Sequence, residues 1–129
     1  MKKAYLFFAT GFEEVEALTV VDILRRGGVD CKTVSIMGDY DVTSSHNVTV
    51  RADLVFEHQD LSDGDMLIMP GGIPGTPNLK AHKGLEALIR EYVKENKYLR
   101  QFVLLRQYMG KWDCCRERMQ PVFRAWKMD

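Results

Sequence analysis

Asp65-Met66-Leu67-Ile68-Met69-Pro70-Gly71-Gly72-Ile73-Pro74-Gly75 is the stretch that decides the fold. Four consecutive apolar residues, Met66 to Met69, suit a strand buried on both faces, as in a parallel sheet. The run stops at Pro-Gly-Gly, where two glycines let the backbone turn sharply and present its N–H groups. In open α/β sheets, ligands bind just beyond the carboxyl ends of the strands. The turn at Gly71 and Gly72 is therefore read as the floor of a site.

Upstream, Lys3 to Ala9 is a short apolar run and reads as a buried strand. Thr10-Gly11-Phe12 turns the chain into a helix expected over Glu13 to Arg26. Val15, Leu18, Val21 and Leu24 make its apolar face, and Val20 and Ile23 widen it. Glutamates in the first turn and Arg25-Arg26 in the last complement the helix dipole, and Gly27-Gly28 ends the helix. Val29 to Ile36 reads as the next strand, which completes a right-handed βαβ unit. Val42 to Val50 reads as a hairpin around Ser45-His46-Asn47, and Leu54 to Phe56 as a short extended piece. Asn78 to Lys97 is expected to be one helix, with Leu85, Leu88, Ile89, Tyr92 and Val93 forming its apolar stripe. Phe102 to Leu105 is a candidate strand beside Met66–Met69, and Arg116 to Met119 a candidate helical turn.

The chain has 129 residues, the size of one domain with a real core. Its zero net charge argues against nucleic acid as the main partner. No apolar run approaches membrane-spanning length, about 18 residues, so no membrane partner is expected. Three cysteines give no disulfide ladder and fit a reducing, cytoplasmic setting. The zero is nevertheless a sum of unlike parts. Residues 1–99 carry 11 Lys and Arg against 15 Asp and Glu, whereas residues 100–129 carry 7 against 3. The last segment also holds both tryptophans, five of the nine arginines and only one of the ten glycines. This seam divides the chain into 1–99 and an irregular tail, 100–129.

Two groups are candidates for chemistry. Glu16 sits in the first turn of the helix that follows strand one, at the same sheet edge as Gly71-Gly72. A carboxylate there can hold or share a proton with a nucleophile; the plainer reading of the pattern is that it only complements the helix dipole. Gly71 and Gly72 can offer N–H groups to an oxyanion, or to a phosphate as a nest, or form a plain tight turn. Thr10-Gly11-Phe12-Glu13-Glu14 is acidic and would repel an anion, which weighs against a flavodoxin-type phosphate or flavin site. His46, His58 and His82 show no partner spacing and read as surface residues. Cys31 reads as a core thiol, and adjacent Cys114-Cys115 lacks metal or redox spacing.

Gly11-Phe12-Glu13-Glu14-Val15-Glu16-Ala17, Val21-Asp22-Ile23-Leu24-Arg25-Arg26-Gly27-Gly28 and the Met-Pro-Gly-Gly-x-x-Gly motif together resemble the ThiJ/PfpI family, in the branch of the Parkinson-disease protein deglycase. The resemblance runs from residue 2 to about 98. It implies a flavodoxin-like, doubly wound, mostly parallel α/β sheet in three layers. It also implies that Glu16 hydrogen-bonds a nucleophilic cysteine while Gly71 and Gly72 shape the oxyanion site. It further implies a homodimer without cofactor or metal, acting on a small α-oxoaldehyde or glycated substrate, or in redox-stress or chaperone roles. Some relatives carry thiamine-biosynthesis labels.

The resemblance places a nucleophile elbow of the type Ala-Ile-Cys-Ala-Ala-Pro after Leu99. This chain has Arg100-Gln101-Phe102-Val103-Leu104-Leu105-Arg106, with Val103 at the cysteine position. Encoded as CGG CAA TTT GTG CTG CTC CGT and regrouped to GCA ATT TGT GCT GCT CCG, the same bases read Ala-Ile-Cys-Ala-Ala-Pro. Family-like sequence continues in that frame to the end of the chain when synonymous codons are chosen freely. A base lost near the Leu99/Arg100 junction is the expected origin of the seam, with a true divergence of the tail as the alternative.

Overall fold

A computed structural model describes residues 2–101 and 119–121, and the fold is built from these. Strand β1 (Lys3–Phe8) is followed by α1 (Glu14–Arg26) and β2 (Asp30–Ser35). The hairpin β3 (Asp41–Thr43) and β4 (Thr49–Arg51), then β5 (Leu54–Val55) and a 3-10 turn at Phe56–His58, lead to β6 (Met66–Met69). Helices α2 (Gly75–Ala81) and α3 (Lys83–Lys94) precede β7 (Tyr98–Gln101), and β8 (Met119–Pro121) is the last described strand.

Six strands form one parallel sheet in the order β5-β2-β1-β6-β7-β8, and β3-β4 form a separate antiparallel pair. The chain builds outward from β1 to β2 and β5, then crosses to the other side and builds outward from β6. The carboxyl ends of β1 and β6 thus flank the point where the winding reverses, which is where such sheets hold ligands. Parallel strands need both faces covered, and β1 shows how the sequence meets that need. Ala4, Leu6 and Phe8 pack with Ala17, Val20 and Val21 of α1, while Tyr5 and Phe7 pack with Leu79 of α2 and Leu85, Ile89 and Tyr92 of α3.

Four expectations change. The buried face of α1 is Ala17, Val20 and Val21, whereas Val15 (68% exposed), Leu18 and Ile23 face solvent. The helix axis is rotated so that the small Ala17 meets the sheet, and hydropathy alone ranked the larger residues first. The single helix expected over 78–97 is two helices, because His82 is extended (ψ 109°). Its imidazole Nδ1 accepts the Leu85 N–H at 2.9 Å and caps α3. The strand beside β6 begins at Tyr98, earlier than expected; Phe102 to Leu105, Val103 included, lie outside the described residues, as do Cys114 and Cys115. Met119 belongs to a strand, since Met119–Pro121 pair in parallel with Leu99–Gln101; this part of the tail is in the sheet, not irregular or helical. Cys31 is buried as expected, and burial pushes its thiol up to about 11.

Candidate active site

Glu13 is the N-cap of α1, with its carboxylate accepting the Val15 N–H at 3.1 Å. Its own N–H donates to the Gly71 carbonyl at 2.9 Å. One turn further on, Glu16 Oε1 accepts the Gly71 N–H at 3.1 Å. Both polar groups of one peptide residue are therefore held by the first turn of α1, although Glu16 and Gly71 are 55 positions apart. Glu16 is half-buried, and that burial raises its carboxyl above the ordinary value; the Gly71 N–H pulls the other way, and the Glu13 charge adds to the rise.

The approach of the two loops requires glycine. Gly72 has φ +115°, and a Cβ there would lie 2.5 Å from Glu13 N and from Gly11 O. A Cβ on Gly75 would lie 2.8 Å from the same Gly11 oxygen. The Gly72 carbonyl accepts the Thr76 N–H at 2.8 Å, which ties the turn into α2, and Asn78 Nδ2 donates to the Thr10 carbonyl at 2.8 Å.

The hairpin turn closes the edge of the site on the α1 side. Gly11 N–H donates to Thr43 O at 2.8 Å and Ser45 N–H to Phe12 O at 2.9 Å. Glu14 takes the Ser44 hydroxyl and the His46 imidazole, whose Nδ1 lies 2.6 Å from Oε1. The Ser44 hydroxyl first, then His46, bring the Glu14 carboxyl down to about 2, and the Glu14 partner raises His46. Spacing did not reveal this pair, because 32 residues separate its members. Of the other histidines, His58 meets the Tyr40 ring edge-on and His82 is the α3 cap just described.

A mostly parallel sheet covered by helices on both faces, with a partly buried carboxylate bonded to a glycine turn at its switch point, defines a flavodoxin-like α/β protein. A model of the DJ-1/PfpI family matches residues 2–102, and the chain belongs to that family. Protein DJ-1 homolog B of Arabidopsis thaliana is 35% identical over 92 residues, covering 70% of this chain and 20% of the relative. The Parkinson disease protein 7 homolog of Danio rerio is 28% identical over 91 residues, covering 70% and 48%. A protein of Thermococcus kodakarensis named a deglycase is 30% identical over 70 residues, covering 54% and 42%. The chain thus spans less than half the length of each of these relatives.

Among solved structures, oxidized DJ-1 of Toxoplasma gondii superposes with a TM-score of 0.79 at 26% identity, covering 81% of this chain and 57% of that one. A mutant of a DJ-1 superfamily protein from Salmonella typhimurium gives 0.81 at 26% identity, covering 95% and 74%. The flavodoxin-like fold is shared with these proteins. Among the described residues no helix is long and apolar enough to cross a membrane.

Proposed function

We propose that this chain carries the carboxylate and glycine halves of a thiol-dependent site for α-oxoaldehydes or their glycation products, without the cysteine that would complete it. The observation behind the proposal is the pair of bonds from the first turn of α1 to Gly71: Glu13 N–H to its carbonyl and its N–H to Glu16. In an intact site of this kind, a thiolate adds to the aldehyde carbon and the carbonyl electron pair moves to oxygen. Since the Gly71 N–H is held by Glu16, the next N–H of the turn, that of Gly72, receives that oxygen, and the Glu16 carboxyl, raised by burial, exchanges the proton with sulfur. The deglycase name of the Thermococcus relative supports this substrate class.

At the position where the family resemblance calls for the nucleophile, the chain has Val103. Thiolate chemistry is therefore absent here, and the segment 100–129 is read as out-of-frame sequence following the family portion 1–99. The setting proposed is the cytoplasm, where thiols stay reduced.

Consumption of methylglyoxal by this chain and by a frame-corrected version tests the reading. Activity is expected only in the corrected chain, and Glu16→Gln there should lower the rate roughly 100-fold. Turnover by the uncorrected chain, or a gene with no elbow in the neighbouring frame, would overturn it.

A second copy of the chain is the proposed partner. Val15, Leu18 and Ile23 leave apolar surface on α1, and joining two copies there would bury it. A monomer in sedimentation at all accessible concentrations would remove this part of the proposal.

A further inference from the structure

The amino edge of the sheet, opposite to the edge that carries the Gly71 turn, holds a cleft that the thiol site does not use. Ala4, Met66 and Tyr98 stand side by side in register on β1, β6 and β7, so their side chains share one face. It is the face of α1, because Ala4 and Met66 pack with Ala17, Val20 and Val21. Among the described residues, α1 is the only helix on that face, while α2 and α3 pack on the other. The row is therefore covered at Ala4, which is buried, and open at Tyr98, which is 58% exposed. Leu24 and Val29 complete the apolar walls of a cleft of about 300 Å³.

The charges around this cleft do not cancel. Lys3 pairs with Asp63 and Lys97 with Glu95, and Asp65 Oδ2 accepts the Lys3 N–H at 2.9 Å. Lys2, in the cleft wall, has no side-chain partner among the described residues. Arg100 lies two residues after Tyr98 on the same face, with its guanidinium 5.3 Å from the centre of the Tyr98 ring. Its hydrogen bond goes to the Leu99 carbonyl, and among the described residues no carboxylate pairs with it. Burial acts against its charge, yet a guanidinium does not shed its proton. A partly desolvated cation without a counter-ion favours an anion beside it.

We propose that this cleft binds a small organic monoanion with a flat apolar body, such as an aryl carboxylate. The body lies against the Tyr98 ring and covers Leu24 and Met66, and the carboxylate meets Lys2 and Arg100. A concave, mainly apolar site with a few polar groups at its mouth is the usual form of a small-molecule pocket. The charge of Asp65 in the same lining disfavours a multiply charged head such as a phosphate. The site is independent of the missing thiol, since it lies at the opposite ends of β1 and β6 from Glu16 and Gly71.

Calorimetric titration of the full chain with naphthoate, beside its neutral counterpart naphthamide, tests the site. One equivalent of naphthoate should bind with a Kd at or below about 1 mM, and naphthamide about fivefold more weakly. Arg100→Gln should weaken naphthoate binding about tenfold and Lys2→Ala about twofold, with naphthamide binding unchanged in both. Amide chemical shifts should move at Ala4, Met66 and Tyr98 and stay fixed at Gly71 and Gly72. No saturable binding up to about 10 mM, the result if a second copy or another part of the chain fills the cleft, would overturn the proposal. Equal affinities for acid and amide in the parent protein, a comparison that needs no variant to fold, would do the same, as would shifts centred on Gly71 or an unchanged affinity in Arg100→Gln.

Discussion

The Gly71 N–H lies 3.1 Å from Glu16 Oε1, across 55 residues of sequence. A helix N-terminus and a strand C-terminus meet there because β1 and β6 are adjacent and parallel, with Ala4, Tyr5 and Leu6 opposite Met66, Leu67 and Ile68. The elements leaving both strands start from the same sheet edge. Fixing Gly71 at both its N–H and its carbonyl holds the peptides of the turn in one orientation.

Gly72→Ala tests how tightly the two loops are joined. The methyl group would meet the backbone of Gly11 and Glu13 at 2.5 Å, and φ +115° disfavours any L side chain. Main-chain atoms on two elements must move, so a loss of about 3 kcal/mol is expected. Urea unfolding measures it; a loss below about 1 kcal/mol would show that the loops separate easily.

His82→Ala removes the side-chain acceptor that caps α3. The Leu85 N–H loses its partner, and the Phe56 ring, edge-on at a centroid distance of 4.8 Å, loses a neighbour. A drop of about 1 kcal/mol is expected, with His82→Ser recovering much of it because serine caps well. Equal melting temperatures for the alanine and serine variants would assign the loss to the ring contact instead.

Asp53 makes stability depend on pH. Burial acts to raise its carboxyl, but the Thr33 N–H and hydroxyl and the Arg25 guanidinium outweigh that and hold it below the ordinary value. A depressed carboxylate stabilises the fold above its unfolded-state pKa, and this contribution is lost as pH falls through the lowered folded value. Asp53→Asn should therefore flatten the acid limb of a stability-against-pH curve while leaving its shape near neutrality unchanged. Parallel acid limbs for the two proteins would assign the acid sensitivity to other carboxylates.

Much of the candidate site is legible in the chain because its parts are local. The β6 run ending at Pro70-Gly71-Gly72 marks a parallel strand and its turn, and Glu16 lies in the first turn of the helix that follows β1, whatever the tertiary details. The split at His82 was not visible in this way. An apolar stripe continues across residues 79–93 in either case, and only the packing of α2 and α3 on the sheet makes residue 82 extended. The buried face of α1 is hidden from the sequence for a related reason: Val15 and Leu18 have the hydropathy of core residues, but Ala17 has the size that lets a helix lie close to β1.

The sequence by itself determined the fold class, the sheet edge of the candidate site, and the change in composition after Leu99, since periodicity, glycine turns and composition are properties of neighbours along the chain. Only the tertiary structure decided that both polar groups of Gly71 are taken up by Glu13 and Glu16, and that Glu14 reaches a histidine 32 residues away. These contacts depend on which strands lie side by side, and that is set by burying both faces of the sheet at once.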